Sequence, residues 1–148
     1  MESKFMIEAF KEAEKAFLEG EIPVGAVIVK NNVIISRSHN TKESQKCCIN
    51  HAEINAISEA SKKLNNWRLN GCDIYITLDP CPMCASAIKQ ARISNVYSAI
   101  SNLDDNNSEL IKKIFEFNDI NSSINFESNL DCDSGRDILQ KFFLKRRK

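Results

Sequence analysis

Apolar positions along the chain change period several times, and each change marks a predicted element. Over Ser3–Leu18 they fall at Phe5, Ala9, Phe10, Ala13, Ala16 and Phe17, which places them on one helical face. Gly20 follows where that helix can end in the left-handed conformation. Val24–Val29 and Val33–Ser36 are β-branched-rich runs separated by Lys30, Asn31 and Asn32. Asparagine tolerates positive φ, so the pair predicts a hairpin. Ala52–Leu64 returns to helical spacing through Ile54, Ile57, Ala60 and Leu64. Ile74–Leu78 predicts a third strand, Pro82–Ala91 a helix with proline in its first turn, and Val96–Ile100 a fourth strand.

Further on, a polar loop is expected over Ser101–Ser108, a helix over Glu109–Phe117 and a short fifth strand over Ile124–Glu127. Ser134, with Asp137 three residues on, predicts a last helix whose apolar face carries Ile138, Leu139, Phe142 and Phe143. A helix, a hairpin, then alternating strands and helices predict a single α/β domain over residues 1–148. Its sheet is mixed and five-stranded, with helices on both faces.

Composition narrows the function classes. The chain has 148 residues, four glycines and three prolines, so it can bury a core without disulfide support. No apolar run approaches the length of a membrane span, and the first residues lack the apolar core of a secretory leader. A cytoplasmic protein with no membrane association is expected. Six cysteines in that setting read as reduced thiols, metal ligands or both. Lys and Arg total 20 against 20 Asp and Glu, which excludes a surface that is cationic throughout. Any contact with RNA must come from a local basic patch.

Two stretches carry the chemistry: His51-Ala52-Glu53 and Pro80-Cys81-Pro82-Met83-Cys84. Each sits where a strand or loop runs into a predicted helix, where first-turn N–H groups favour anions. Cys81 and Cys84 are three apart, so both sulfurs face the same way on a helical turn. Two thiolates and one imidazole make three zinc ligands and leave a fourth position for water, the catalytic rather than the structural pattern. Glu53 then stands where it can take a proton from that water and pass it to a leaving nitrogen. A Cys-x-x-Cys alone is also the pattern of a redox pair or of half a structural zinc site. The two stretches together form the signature of the zinc nucleobase deaminases. Cys47, Cys48, Cys72 and Cys132 have no such partner and read as small core or surface thiols.

The chain resembles the bacterial tRNA-specific adenosine deaminases of the cytidine deaminase superfamily. The resemblance is carried by Glu21-Ile22-Pro23-Val24-Gly25-Ala26-Val27, His39-Asn40, His51-Ala52-Glu53-Ile54, Asn66-Trp67-Arg68-Leu69, the run Tyr75–Ala85, Arg92-Ile93, and Phe142-Phe143-Leu144-Lys145-Arg146-Arg147. It implies a three-layer α/β/α cytidine-deaminase-like fold, one Zn2+ per chain, a homodimer, and conversion of the wobble adenosine of a tRNA anticodon stem-loop to inosine. It implies a base contact for Asn40, which otherwise reads as a turn former after a strand. Val24, Ala52 and Pro80 are implied around the substrate, with Phe142 as a wall for the flipped nucleotide or simply a core residue of the last helix. Lys145, Arg146 and Arg147 are implied as an RNA contact, or they are cations suited to a helix C-terminus.

Two stretches depart from the family. Cys47-Cys48-Ile49-Asn50 precedes the ligand histidine where Asp-Pro-Thr-Ala is usual. Ser101-Asn102-Leu103-Asp104-Asp105-Asn106-Asn107 replaces a glycine-rich loop that lines the nucleotide path. The altered loop and the neutral charge favour a second reading, the same chemistry on a free base or nucleoside such as guanine or cytosine. A third reading is a non-catalytic zinc- or RNA-binding module. The retained Glu53 opposes it, since a structural site has no use for a proton carrier.

Overall fold

The computed structural model describes residues 3–101, 105–117 and 124–130. The predicted last helix, with Phe142, Phe143, Lys145, Arg146 and Arg147, lies outside the described residues, as do Asp104 and Cys132.

The first helix, α1 (Lys4–Leu18), starts where the Ser3 side chain accepts the Phe5 N–H at 3.1 Å. It ends at Glu19, followed by Gly20 at φ +79°. Strands β1 (Gly25–Lys30) and β2 (Val33–His39) form the expected antiparallel hairpin. Its turn is the two-residue pair Asn31 and Asn32, at φ +51° and +64°, while Lys30 pairs with Val33 within the ladder. Two left-handed residues match the twist of the strands, which is why asparagines stand there. A short turn of helix, α2 (Lys42–Gln45), leads to α3 (Ala52–Leu64), then β3 (Cys72–Leu78), α4 (Pro82–Gln90), β4 (Asn95–Ile100), α5 (Asp105–Glu116) and β5 (Asn125–Glu127).

The sheet order is β2-β1-β3-β4-β5, with β1 antiparallel to both neighbours and the β3–β4 and β4–β5 pairs parallel. One face packs Ala26, Ile28, Ile74, Ile76 and Val96 against α3, α4 and α5. The other packs Val27, Val29 and Ala99 against Phe5, Met6, Ala9 and Phe10 of α1. This is the mixed five-stranded sheet with helices on both faces that the residue pattern predicts.

Two local expectations are corrected. The buried stripe of α3 is Ala52, Ala56 and Ala60, with Ile57 and Leu64 at its border and Ile54 only half-buried. Small side chains let the helix axis come close to the sheet, so alanine rather than isoleucine occupies the centre of the contact. The polar segment Asp105–Ser108 is the first turn of α5 rather than loop. Its Asp and Asn residues suit a helix start, and the apolar stripe begins only with Leu110 and Ile111.

Gly25 sets the distance between α1 and β1. A Cβ there would overlap the Ala9 carbonyl oxygen, with Ala13 N at 2.5 Å and the Glu12 Cβ at 2.9 Å. Two of these atoms are helix backbone and the third is a Cβ fixed to it, so none can rotate away. Gly25→Ala is expected to destabilise the fold by about 3 kcal/mol, measured by urea unfolding at neutral pH. Wild-type stability in that variant would show that α1 can slide.

Pairing of Gly25 with His39 and of Ala26 with Ile76 brings the start of β1, the end of β2 and the end of β3 to one edge of the sheet. Val24, Asn40 and Asp79–Cys81 therefore meet there.

Candidate metal centre and active site

His51 and Cys81 are both N-cap residues, in extended backbone at φ −72°, ψ 158° and φ −76°, ψ 170°. His51 opens α3 and Cys81 opens α4, with Pro82 as the first helical residue and Cys84 two positions further in. The His51 Nδ1 atom lies 3.7 Å from the Cys81 sulfur and 3.5 Å from the Cys84 sulfur. All three ligand atoms fall within 4.8 Å of one another. A tetrahedral zinc with Zn–S of about 2.3 Å and Zn–N of about 2.0 Å sets N···S edges of about 3.5 Å. The three side chains fit such an ion. Among the described residues this is the one His/Cys/Asp/Glu group arranged to hold a metal.

The surroundings tune the protons. The Cys84 thiol, fully buried, donates to the Cys81 sulfur. That bond, with the Cys84 and Met83 amides of the helix start and nearby His51, holds Cys81 down at about 5 against burial. The same bond, with burial and the charge of Glu53, pushes Cys84 up. A cation between the sulfurs would draw both to the thiolate. Glu53, one position into α3, is 3 % exposed. Burial pushes its carboxyl up to about 7, so both protonation states are accessible near neutrality.

A cavity of about 210 Å³ opens onto this group. Val24, Asn40 and Ala52 line it beside His51, Glu53 and Cys81, while Pro80 is fully buried between Asp79 and Cys81. Asn40 is held in place by its own side-chain hydrogen bonds. Its Oδ1 accepts the Lys42 N–H at 3.1 Å and its Nδ2 donates to the Ile22 carbonyl at 3.3 Å, forming the turn after β2. The amide still has a second N–H and a second lone pair for a ligand in the cavity.

Three residues were not foreseen from sequence. Lys42 and Asp79 also line the cavity. Asp79 accepts from the Ser128 hydroxyl at 2.6 Å, tying the segment after β5 to the cavity wall. Glu21, fully buried, accepts the amides of Glu43 at 3.0 Å and Ser44 at 2.7 Å and so anchors α2. No spacing rule links partners this far apart in the chain.

Burial would raise the Glu21 carboxyl, but the hydrogen bonds from Glu43 and Ser44 outweigh it and hold the group below its ordinary value of 4.5. The charged form is thus favoured in the fold. Its contribution is present above the unfolded value and is lost as pH falls through the lowered one. Glu21→Gln is expected to cost about 2 kcal/mol in urea unfolding at pH 7. The difference from wild type should shrink as the medium is acidified below pH 4.5; a pH-independent difference would refute the assignment.

Four further residues, all described, stand away from the three ligand atoms. His39 is held by α1, its Nδ1 3.1 Å from Glu12 and its Nε2 2.8 Å from Glu19. Cys47 is half-buried and Cys48 exposed on the loop before His51, and Cys72 is buried in β3 with its thiol pushed up by burial. All three are free thiols.

A sheet of this order, with a His-Cys-Cys group and a buried glutamate at two helix starts, defines a deaminase of the cytidine-deaminase-like fold. The MafB19-like deaminase family matches residues 2–147. A tRNA-specific adenosine deaminase of Streptococcus pyogenes serotype M18 is 40% identical over 143 residues, covering 97% of this chain and 90% of that one. A solved structure from work on A-to-I editing by tRNA:A34 deaminases at the wobble position of transfer RNA superposes with a TM-score of 0.84. It is 35% identical and covers 91% of this chain and 98% of that one. A guanine deaminase from Bacillus subtilis is more distant, with a TM-score of 0.68 and 30% identity over 100% of this chain and 96% of that one. The chain belongs to the tRNA-specific adenosine deaminase family and is an enzyme, a deaminase and hence a hydrolase.

Proposed function

We propose that this chain hydrolytically deaminates the wobble adenosine of a tRNA anticodon to inosine, with one zinc ion held by His51, Cys81 and Cys84. The observation that carries the reading is the meeting of these three ligand atoms beside buried Glu53 in one cavity. The near full-length match to a protein named for adenosine in tRNA supports the choice of base and carrier.

Zinc in this site supplies a Lewis acid that brings the pKa of water down toward neutrality. Glu53 takes a proton from the attacking water and delivers it to the departing nitrogen. The C6 amine of adenine leaves as ammonia while a carbonyl forms in its place, and the second hydrogen of the water ends on ring N1. A buried carboxyl held near neutrality suits this two-way traffic. Asn40 meets the edge of the base with its remaining donor and acceptor, and Val24 and Ala52 bound the base within the cavity. Pro80 sets the backbone beside Cys81. The family resemblance alone assigns Phe142 to the nucleotide and Lys145, Arg146 and Arg147 to its phosphates.

The chain acts as a single domain and as a homodimer in the cytoplasm. Exposed Ile49 and Met83, each within two residues of a proposed ligand, support a covered face beside the site. The free thiols support a reducing compartment. No described helix is long and apolar enough to cross a membrane.

The test is turnover by zinc-loaded protein on an arginine tRNA anticodon stem-loop and on free guanine, cytosine and adenosine. Inosine at the wobble position, with KM rising steeply with salt, is expected for a substrate held through phosphates. Salt-insensitive turnover of a free base, with no product from the stem-loop, would replace this reading with a small-molecule deaminase. The 30% identical guanine deaminase and the balanced charge give that alternative its weight.

A further inference from the structure

Asn55 lies one helical turn after His51 on α3, and its contacts are with the loop beside the cavity. Its side-chain nitrogen is 3.0 Å from the His39 carbonyl, 3.0 Å from the Thr41 hydroxyl and 3.4 Å from the Asn50 carbonyl. These acceptors belong to the two ends of a single loop. His39 and Thr41 flank Asn40, and Asn50 precedes His51. The ends also bond each other, through the Thr41 N–H and the Asn50 carbonyl at 3.0 Å. Glu21 separately anchors α2 between them.

We infer that Asn55 is a positioning residue: its amide fixes the separation between Asn40, which meets the base, and His51, which ligates the metal. The inference rests on the proposed function for those two roles, while the clamp itself is visible in the hydrogen bonds.

The residue type fits the task. Both carbonyl partners only accept, so a donor is required, and a carboxamide nitrogen brings two hydrogens to be shared among three oxygens. A carboxylate would set negative oxygens against those carbonyls. Alanine would take this donor from the His39 carbonyl and the Thr41 hydroxyl in a partly buried setting, and leave the Asn50 carbonyl with the Thr41 N–H. Asparagine is a poor helix former, so its place inside α3 reflects a tertiary contact rather than a local preference.

The experiment compares wild type, Asn55→Asp and Asn55→Ala, all full-length and zinc-loaded, by amide hydrogen exchange and by kinetics on the anticodon stem-loop. In Asn55→Asp the Thr41 amide is expected to exchange about tenfold faster, with a smaller rise in Asn55→Ala, while amides of α3 and β3 keep their protection. KM should rise about tenfold with kcat within about twofold, and zinc content should not change. An unaltered Thr41 amide would overturn the inference, as would an even loss of protection across α3 and β3, which marks general destabilisation. Wild type that is inactive on the stem-loop would refute the substrate reading. Selective release of the Thr41 amide in Asn55→Asp would still support the clamp.

Discussion

Glu53→Gln is expected to lower kcat on the anticodon stem-loop by about 10³-fold while zinc content and the fold remain as in wild type. The side chain is 3 % exposed, so glutamine fills the same space without opening a cavity. What it removes is a buried carboxyl that burial holds near 7 beside His51 and Cys81. A carboxamide can hydrogen-bond to water but cannot accept its proton and return it to the amine. KM should change little, because Asn40 and the rest of the cavity wall are untouched. Retention of activity within about tenfold would mean that another base serves the reaction, and the assignment of Glu53 would fail.

Cys84→Ala is expected to abolish measurable turnover and to weaken zinc binding by more than about 100-fold. That is beyond the cost of disturbing a partner that merely orients a ligand. Cys84 is fully buried and its sulfur sits 3.5 Å from His51 Nδ1. Its replacement leaves two ligands, one of them the half-exposed His51. Metal titration with a competing chelator reads the affinity directly. Wild-type affinity in the variant would show that the metal sits elsewhere. Prolonged chelation of wild type should reproduce the loss, and added zinc should reverse it.

The meeting of His51, Cys81 and Cys84 was readable in the amino-acid order because it depends on short spacing. Cys81 and Cys84 meet on one turn of α4, Glu53 follows His51 by two residues, and both stretches begin helices. Each condition is local, and the fold needed only to bring two helix starts to one sheet edge. The hairpin turn at Asn31 and Asn32 was readable for the same reason. Contacts that cross the fold were not. Glu21 under α2, Asp79 with Ser128 and Asn55 on the 40–50 loop pair residues that no periodicity connects. The α3 stripe was misplaced because larger apolar residues attract attention, whereas close packing against a sheet selects alanine. The first turn of α5 was missed because its polar residues describe a helix start as well as they describe a loop.

The proposed metal centre has three protein ligands, His51, Cys81 and Cys84. X-ray absorption at the zinc edge of the purified protein tests it most directly. One zinc per chain is expected, with two sulfurs at about 2.3 Å and nitrogen or oxygen neighbours at about 2.0 Å completing four positions. A shell of four sulfurs, or protein that takes up no zinc while folded, would contradict it.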